Sequence, residues 1–174
     1  MINKANTTLS ALVDAVNSRL RKISPAQGFG LSGQIDFHLA KADGTEQDWS
    51  LKNLIMDAGE DAVALLLKGT GDPFDYIAIG TTNTAADDAQ TTLVAEIASN
   101  GGSRDQDGTP STSANVYTAS VKFTFTGILA IVEVGLFNAA AAGDMLARQI
   151  FSVINVDDAD ELTVTWNITV GIAR

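Results

Sequence analysis

The sequence predicts a mainly β fold, an antiparallel β-sandwich of jelly-roll-like form with an N-terminal helical arm and one or two short helices. Three observations carry that expectation. Apolar and polar residues alternate in the C-terminal third, in Val121, Phe123, Phe125 and again in Leu162, Val164, Trp166, Ile168, Val170, which is the period of strands with one buried face. Turn-forming residues interrupt these runs at Gly127, at Ala142-Gly143-Asp144 and at Asp157-Asp158-Ala159-Asp160, and short strands so punctuated build sandwiches. Near the other end, Leu9, Leu12, Val13, Val16 and Leu20 fall on one stripe of a helix.

That helix starts near Asn6-Thr7-Thr8, whose short polar side chains cap free amides, and stops before Ser24-Pro25. Arg19, Arg21 and Lys22 gather at its end, where the helix dipole favours cations. Leu9, Leu12, Val13, Val16, Arg19, Leu20, Arg21 and Lys22 are therefore the candidate partner-binding residues. They read either as an arm docking on a neighbouring subunit or as a helix covering one end of the chain's own β-core. Residues 1–24 form the arm, 25–33 a Gly-rich link and 34–174 the sandwich domain.

Within the domain, Gln34–Ala40 alternates as a half-buried strand, Ala42–Thr45 reads as a turn and Trp49–Leu54 as the returning strand of a hairpin. Ala58, Ala62, Leu65 and Leu66 predict a short helix from Asp57 to Lys68 that Gly69 ends. Asp75–Gly80 is a compact apolar run and hence a buried strand, whereas Leu93, Glu96 and Ile97 make Thr91–Ile97 lean helical. Ala98–Ala114 holds almost nothing apolar and reads as an exposed loop. Four strands follow, over Asn115–Thr126, Leu129–Asn138, Met145–Val153 and Leu162–Ile172.

Composition narrows the function. A chain of 174 residues buries roughly 70% of its unfolded surface and needs neither disulfide nor metal to fold. The absence of cysteine excludes thiolate chemistry. A net charge of −10 repels phosphate backbones, so nucleic acid is not an expected partner. No run has the ~18 apolar residues of a membrane span, and Met1-Ile2-Asn3-Lys4-Ala5-Asn6 lacks the apolar core of a signal peptide. The chain thus reads as made and folded in a cytoplasm, without a membrane. Apolar residues at 45% against charged residues at 18% suit a protein that lies against a partner.

The residues that could carry chemistry do not assemble into a motif. His38 alternates with apolar neighbours on a face shared with Gln34 and Asp36, and Ser32 and Ser50 alone do not complete a nucleophilic triad. Asp105-Gln106-Asp107-Gly108 offers half of a calcium loop, but the acidic residue required further on is missing. Asp157, Asp158, Asp160 and Glu161 read as a hydrated turn, and Gly69-Thr70-Gly71 lacks the lysine of a phosphate loop. Trp166 and Tyr76 lie in apolar runs and read as core. Glu133, between Val132 and Val134, is expected to point to solvent, the alternative being a deliberate buried contact. No catalytic site, metal or cofactor is expected.

Four stretches resemble a family of small phage virion proteins. They are Lys52-Asn53-Leu54-Ile55 running into Ala58-Gly59; Tyr76-Ile77-Ala78-Ile79-Gly80-Thr81-Thr82-Asn83-Thr84-Ala85-Ala86 with Thr92–Ile97; Glu133-Val134-Gly135-Leu136-Phe137-Asn138; and Leu146-Ala147-Arg148-Gln149-Ile150-Phe151 with Leu162-Thr163-Val164-Thr165-Trp166. The resemblance covers about residues 33–172. It implies a β-rich structural protein of the virion, either a capsid decoration (cement) protein or a tail-fibre-associated module. The chain ends with the sandwich at Arg174 and carries an arm as its one appendage, which favours the capsid. The expected partners are major capsid protein subunits and further copies of the chain, with a trimer as the first expectation for matching a symmetric shell. A carbohydrate-binding module using the loop at 98–114 is the alternative from another class.

Overall fold

The structure, a computed structural model, describes residues 30–171. The arm, with its candidate residues from Leu9 to Lys22, lies outside the described residues. In chain order the elements are β1 (Leu31–Ala40), β2 (Glu46–Lys52), β3 (Leu54–Ile55), α1 (Asp57–Lys68), β4 (Tyr76–Gly80), β5 (Asp105–Gln106), β6 (Ser111–Ser113), β7 (Val116–Thr124), β8 (Leu129–Phe137), β9 (Met145–Val156) and β10 (Glu161–Val170). They form two antiparallel sheets of five strands, ordered β2-β1-β10-β7-β6 and β3-β9-β8-β4-β5. No helix among the described residues is long and apolar enough to cross a membrane.

Alternation dictates the first sheet. Ile35, Phe37 and Leu39 of β1 and Leu162, Val164, Trp166 and Ile168 of β10 all turn into one core with Val121 and Phe123 of β7. The polar residues between them form the outer face, where Asn167 Nδ2 donates to Asp36 Oδ2 and the Ser120 and Thr165 hydroxyls meet. From the second sheet, Ile77, Ile79, Ile131, Val134 and Leu136 complete the same core. Fully burying each of these large side chains contributes about 1.5–3 kcal/mol, so interdigitation of the two inner faces holds the layers together.

The second sheet is covered on its other side as well. Met56, Ala78, Leu93, Phe137 and Met145 make a smaller cluster with Tyr76 packed on it. β8 therefore runs almost continuously buried from Glu133 to Phe137, as strands with two covered faces do. Leu93 and Ile97 are buried as expected of apolar residues, yet Thr91–Ile97 is not helical: it forms irregular backbone with a single bridge, Gly80 to Glu96. Its amides are bound elsewhere. Ala95 N–H donates to Glu133, and Ile97 N–H donates to Ile79 O at 2.9 Å.

α1 matches its sequence prediction from Asp57 to Lys68. Gly69 ends it at φ 79°, its N–H donating to Leu66 O while the Thr70 N–H donates to Leu65 O, the bond pattern of a left-handed glycine cap. A Cβ at Gly59 would lie 2.8 Å from Leu146 O, so glycine is what lets the helix sit directly on β9. The stretch 98–114 is less of a loop than its composition suggests. It supplies β5 and β6, and the Arg104 side chain is 6% exposed.

Candidate functional site

The sandwich is open along one side. β2 is the edge of its sheet, and β3 pairs with β9 only at Ala147 and Arg148. From Gln149 onward the outer edge of β9 has no partner strand among the described residues. Between these two edges runs a groove of about 530 Å³ lined by Leu39, Trp49, Leu51, Phe151, Val153 and Ile154 among others.

A bulge shapes that groove. Ile131 pairs with Ile154 and Glu133 with Ile150, which leaves Phe151, Ser152 and Val153 opposite Val132 alone. Extra residues of this kind bend a strand and re-aim its side chains. Here the Phe151 ring meets Phe37 edge-on at 5.1 Å, while Trp49 stacks on Phe37 at 5.1 Å with the planes 8° apart. Val153 is left 52% exposed. The result is an apolar floor between two strand edges that no further strand among the described residues pairs with, a surface suited to an apolar helix face or an extended segment.

Lys41 closes one end, its Nζ donating to Asn155 O at 2.6 Å and to Asp160 Oδ2 at 2.7 Å. Beyond it the groove continues into a shallow basin lined by Asp43, Asp157, Asp158 and Asp160. Asp160 is no hydrated surface acid, although its neighbours in sequence are: it is 3% exposed and accepts also from the N–H groups of Ala42 and Asp157. Burial alone would push its carboxyl up, and these donors more than offset that and hold it below the usual carboxylate range. The N–H and hydroxyl of Thr45 likewise lower Asp43. With Asp160 matched by Lys41, the basin keeps the charges of Asp43, Asp157 and Asp158.

A second polar assembly lies on the far face of the other sheet. Glu133, expected to face solvent, is 0% exposed; the alternation that put its neighbours inside fails because residues 81–97 cover that face too. Arg148 donates to Glu133 Oε2 through Nε at 3.0 Å and Nη2 at 2.7 Å. It also donates to Gln90 Oε1 and to Thr84 O, while Ala95 N–H donates to Glu133 Oε1 at 2.9 Å and Val94 N–H to Oε2 at 3.4 Å. No family model, curated protein or solved structure matches this chain. Its function must therefore be read from these two assemblies and the surface around them.

Of the side chains singled out for chemistry, His38 Nδ1 lies 2.8 Å from Asp48 Oδ1 on the exposed face of the first sheet. The Ser50 hydroxyl there donates to Asp36 and not to the imidazole. Asp107 accepts from the Thr109 and Ser120 N–H groups, so its carboxylate ties the 105–109 turn to β7. Trp166 is core, as expected, with its Nε1 donating to Asn53 Oδ1 at 3.2 Å. Tyr76 is partly buried against the smaller cluster. The groove itself was not anticipated from sequence. Its signal was present in Ile150-Phe151-Ser152-Val153-Ile154, where alternation breaks down inside an otherwise continuous strand.

Proposed function

We propose that this chain is a structural component of a bacteriophage particle, a capsid decoration (cement) protein that bridges and stabilises capsid subunits. One observation supports the reading above the others. The stretches that resemble phage virion proteins are scattered through the sequence, and several of them converge on the Glu133–Arg148 pair: Glu133 comes from the third, Arg148 from the fourth, and Thr84 O with the Val94 and Ala95 amides from the second. The first stretch reaches the same strand, with Gly59 against Leu146. Segments that resemble a family together and also form one buried unit are what a shared fold requires. The pairing of β1, the first described strand, with β10, the last, supports the jelly-roll-like form of that fold.

The surface suits adhesion. Leu65, Leu66 and Leu67 of α1 are 46%, 37% and 81% exposed, and apolar area removed from water stabilises by about 25 cal/mol per Å². Repeated over many copies, an interface of standard size strengthens a shell without any single tight contact. The Glu133–Asn138 resemblance also extends to tail-fibre-associated modules, which makes the tail the second reading. Mass spectrometry of density-banded virions, followed by immunogold labelling with antibody to this chain, separates them. Label distributed over heads is the expected result. Label confined to tails moves the chain to the second reading, and absence from purified virions overturns both.

A further inference from the structure

We infer that the groove between β2 and β9 is the seat for residues 6–22 of a second copy of this chain, so that copies associate by exchanging arms. Three features of the molecule lead to this occupant. The first is chemical fit. Leu9, Leu12, Val13, Val16 and Leu20 recur at the spacing of a helix stripe, which at helical rise would be about 17 Å long, and the groove runs along Gln47–Leu51 and Phe151–Asn155, about 13–14 Å of strand, with Trp49, Leu51, Phe151 and Val153 as its apolar lining. The second is charge. Arg19, Arg21 and Lys22 follow the stripe, and Asp43, Asp157 and Asp158 stand where the groove ends at Lys41. A stripe seated with its basic end on the aspartates satisfies both.

The third is reach, and it favours another molecule as the source of the arm. The β1–β10 register puts Leu31 beside Val170 at one end and Ala40 beside Glu161 at the other. Gly30 and the aspartates thus lie at opposite ends of a strand about 30 Å long. Lys22 is eight residues before Gly30, and eight residues span at most about 26–29 Å between Cα atoms. A chain could lay its own basic tip on its own aspartates only with those eight residues fully stretched and the side chains extended. The reverse polarity within one chain would bring Arg19, Arg21 and Lys22 toward the Lys52 end of β2, away from the acidic basin. A neighbouring copy has no such restriction. Arm-to-groove contact is head-to-tail, and such contacts form a ring where the rotation between copies closes, a trimer being the expectation from sequence. Arm exchange needs no phage particle and stands or falls separately from the proposed function.

The absence of cysteine gives a clean test in the full-length chain. Val16→Cys and Val153→Cys are made as separate variants, mixed, and oxidised with copper phenanthroline. Each is checked for cooperative unfolding, which Val153, half exposed in the native fold, makes a mild demand. The expected product is a disulfide-linked pair containing one chain of each variant, seen on a non-reducing gel and identified by the joined peptides. No link between positions 16 and 153 in the mixture, or a link within one chain in a Val16→Cys/Val153→Cys double variant, overturns the inference. Sedimentation adds a second readout. Arg19→Glu/Arg21→Glu/Lys22→Glu, and separately Asp43→Lys/Asp157→Lys/Asp158→Lys, should each weaken self-association about tenfold or more, and combining the two sets should restore it. A monomeric wild-type chain, or association indifferent to both reversals, refutes arm exchange.

Discussion

Glu133 and Arg148 are each fully buried, and their pairing is complete: the carboxylate accepts from Arg148 and from the Val94 and Ala95 amides. No buried side-chain polar atom among the described residues lacks a partner. A charge so enclosed stabilises little by itself, because desolvation opposes the attraction, but losing one member strands the other. Arg148→Met should therefore lower unfolding free energy by about 3–5 kcal/mol, measured by urea denaturation, and Glu133→Leu/Arg148→Met should cost less than the sum of the single changes. Gly80 lies directly opposite Glu133 in the sheet, and a Cβ there would sit 2.7 Å from Ala95 O. Gly80→Ala is expected to destabilise by about 1–3 kcal/mol through overpacking, with a lower urea midpoint and an unchanged slope. Neither demand was legible at the residue itself. Glu133 has the same apolar neighbours whether one face of its strand is covered or two, and only residues distant in sequence decide which.

At the scale of elements, legibility followed periodicity. β1, β7 and β10 alternate strictly because one face meets water and the other the core, so their positions could be read directly. α1 could be read because its apolar spacing ends at a glycine whose backbone needs a positive φ. Gly69→Ala should cost about 1 kcal/mol or slightly more, visible as a fall in melting temperature. β5 and β6 left no trace in the pattern, since Asp105, Gln106 and Ser111–Ser113 are exposed and held by main-chain pairing, with the Gln106 side chain donating to Asp75 Oδ2. Thr91–Ile97 misled for a different reason: Leu93 and Ile97 are spaced like helix neighbours but are buried from irregular backbone, Leu93 in the smaller cluster and Ile97 in the main core. Arg104 anchors the same region. Its guanidinium grips both Glu96 oxygens, donates to Ala139 O and Ala142 O, and lies 3.7 Å from the Phe137 ring centre.

For the molecule as a whole, acid should be the weak condition. Asp160 and Glu161 are held below their ordinary values, the first by Lys41 and main-chain donors against its burial, the second chiefly by Lys122. A carboxyl depressed in the folded state adds stability above its unfolded pKa of about 4 and forfeits it as pH falls through the folded value. Melting temperature should thus fall steadily below about pH 4, and Asp160→Asn should flatten that slope while lowering stability near neutrality. The sheet order carries a different consequence. β10 lies between β1 and β7, and Asn167 bonds to Asp36 across 131 residues of sequence. The central strand of the first sheet therefore leaves the ribosome after both of its neighbours, and until it does the β1–β2 and β6–β7 pairs cannot be joined into one sheet. Folding with such distant partners is slow, so the nascent hairpins must wait with their apolar faces unprotected, and production at low temperature or with chaperones present should raise the soluble yield.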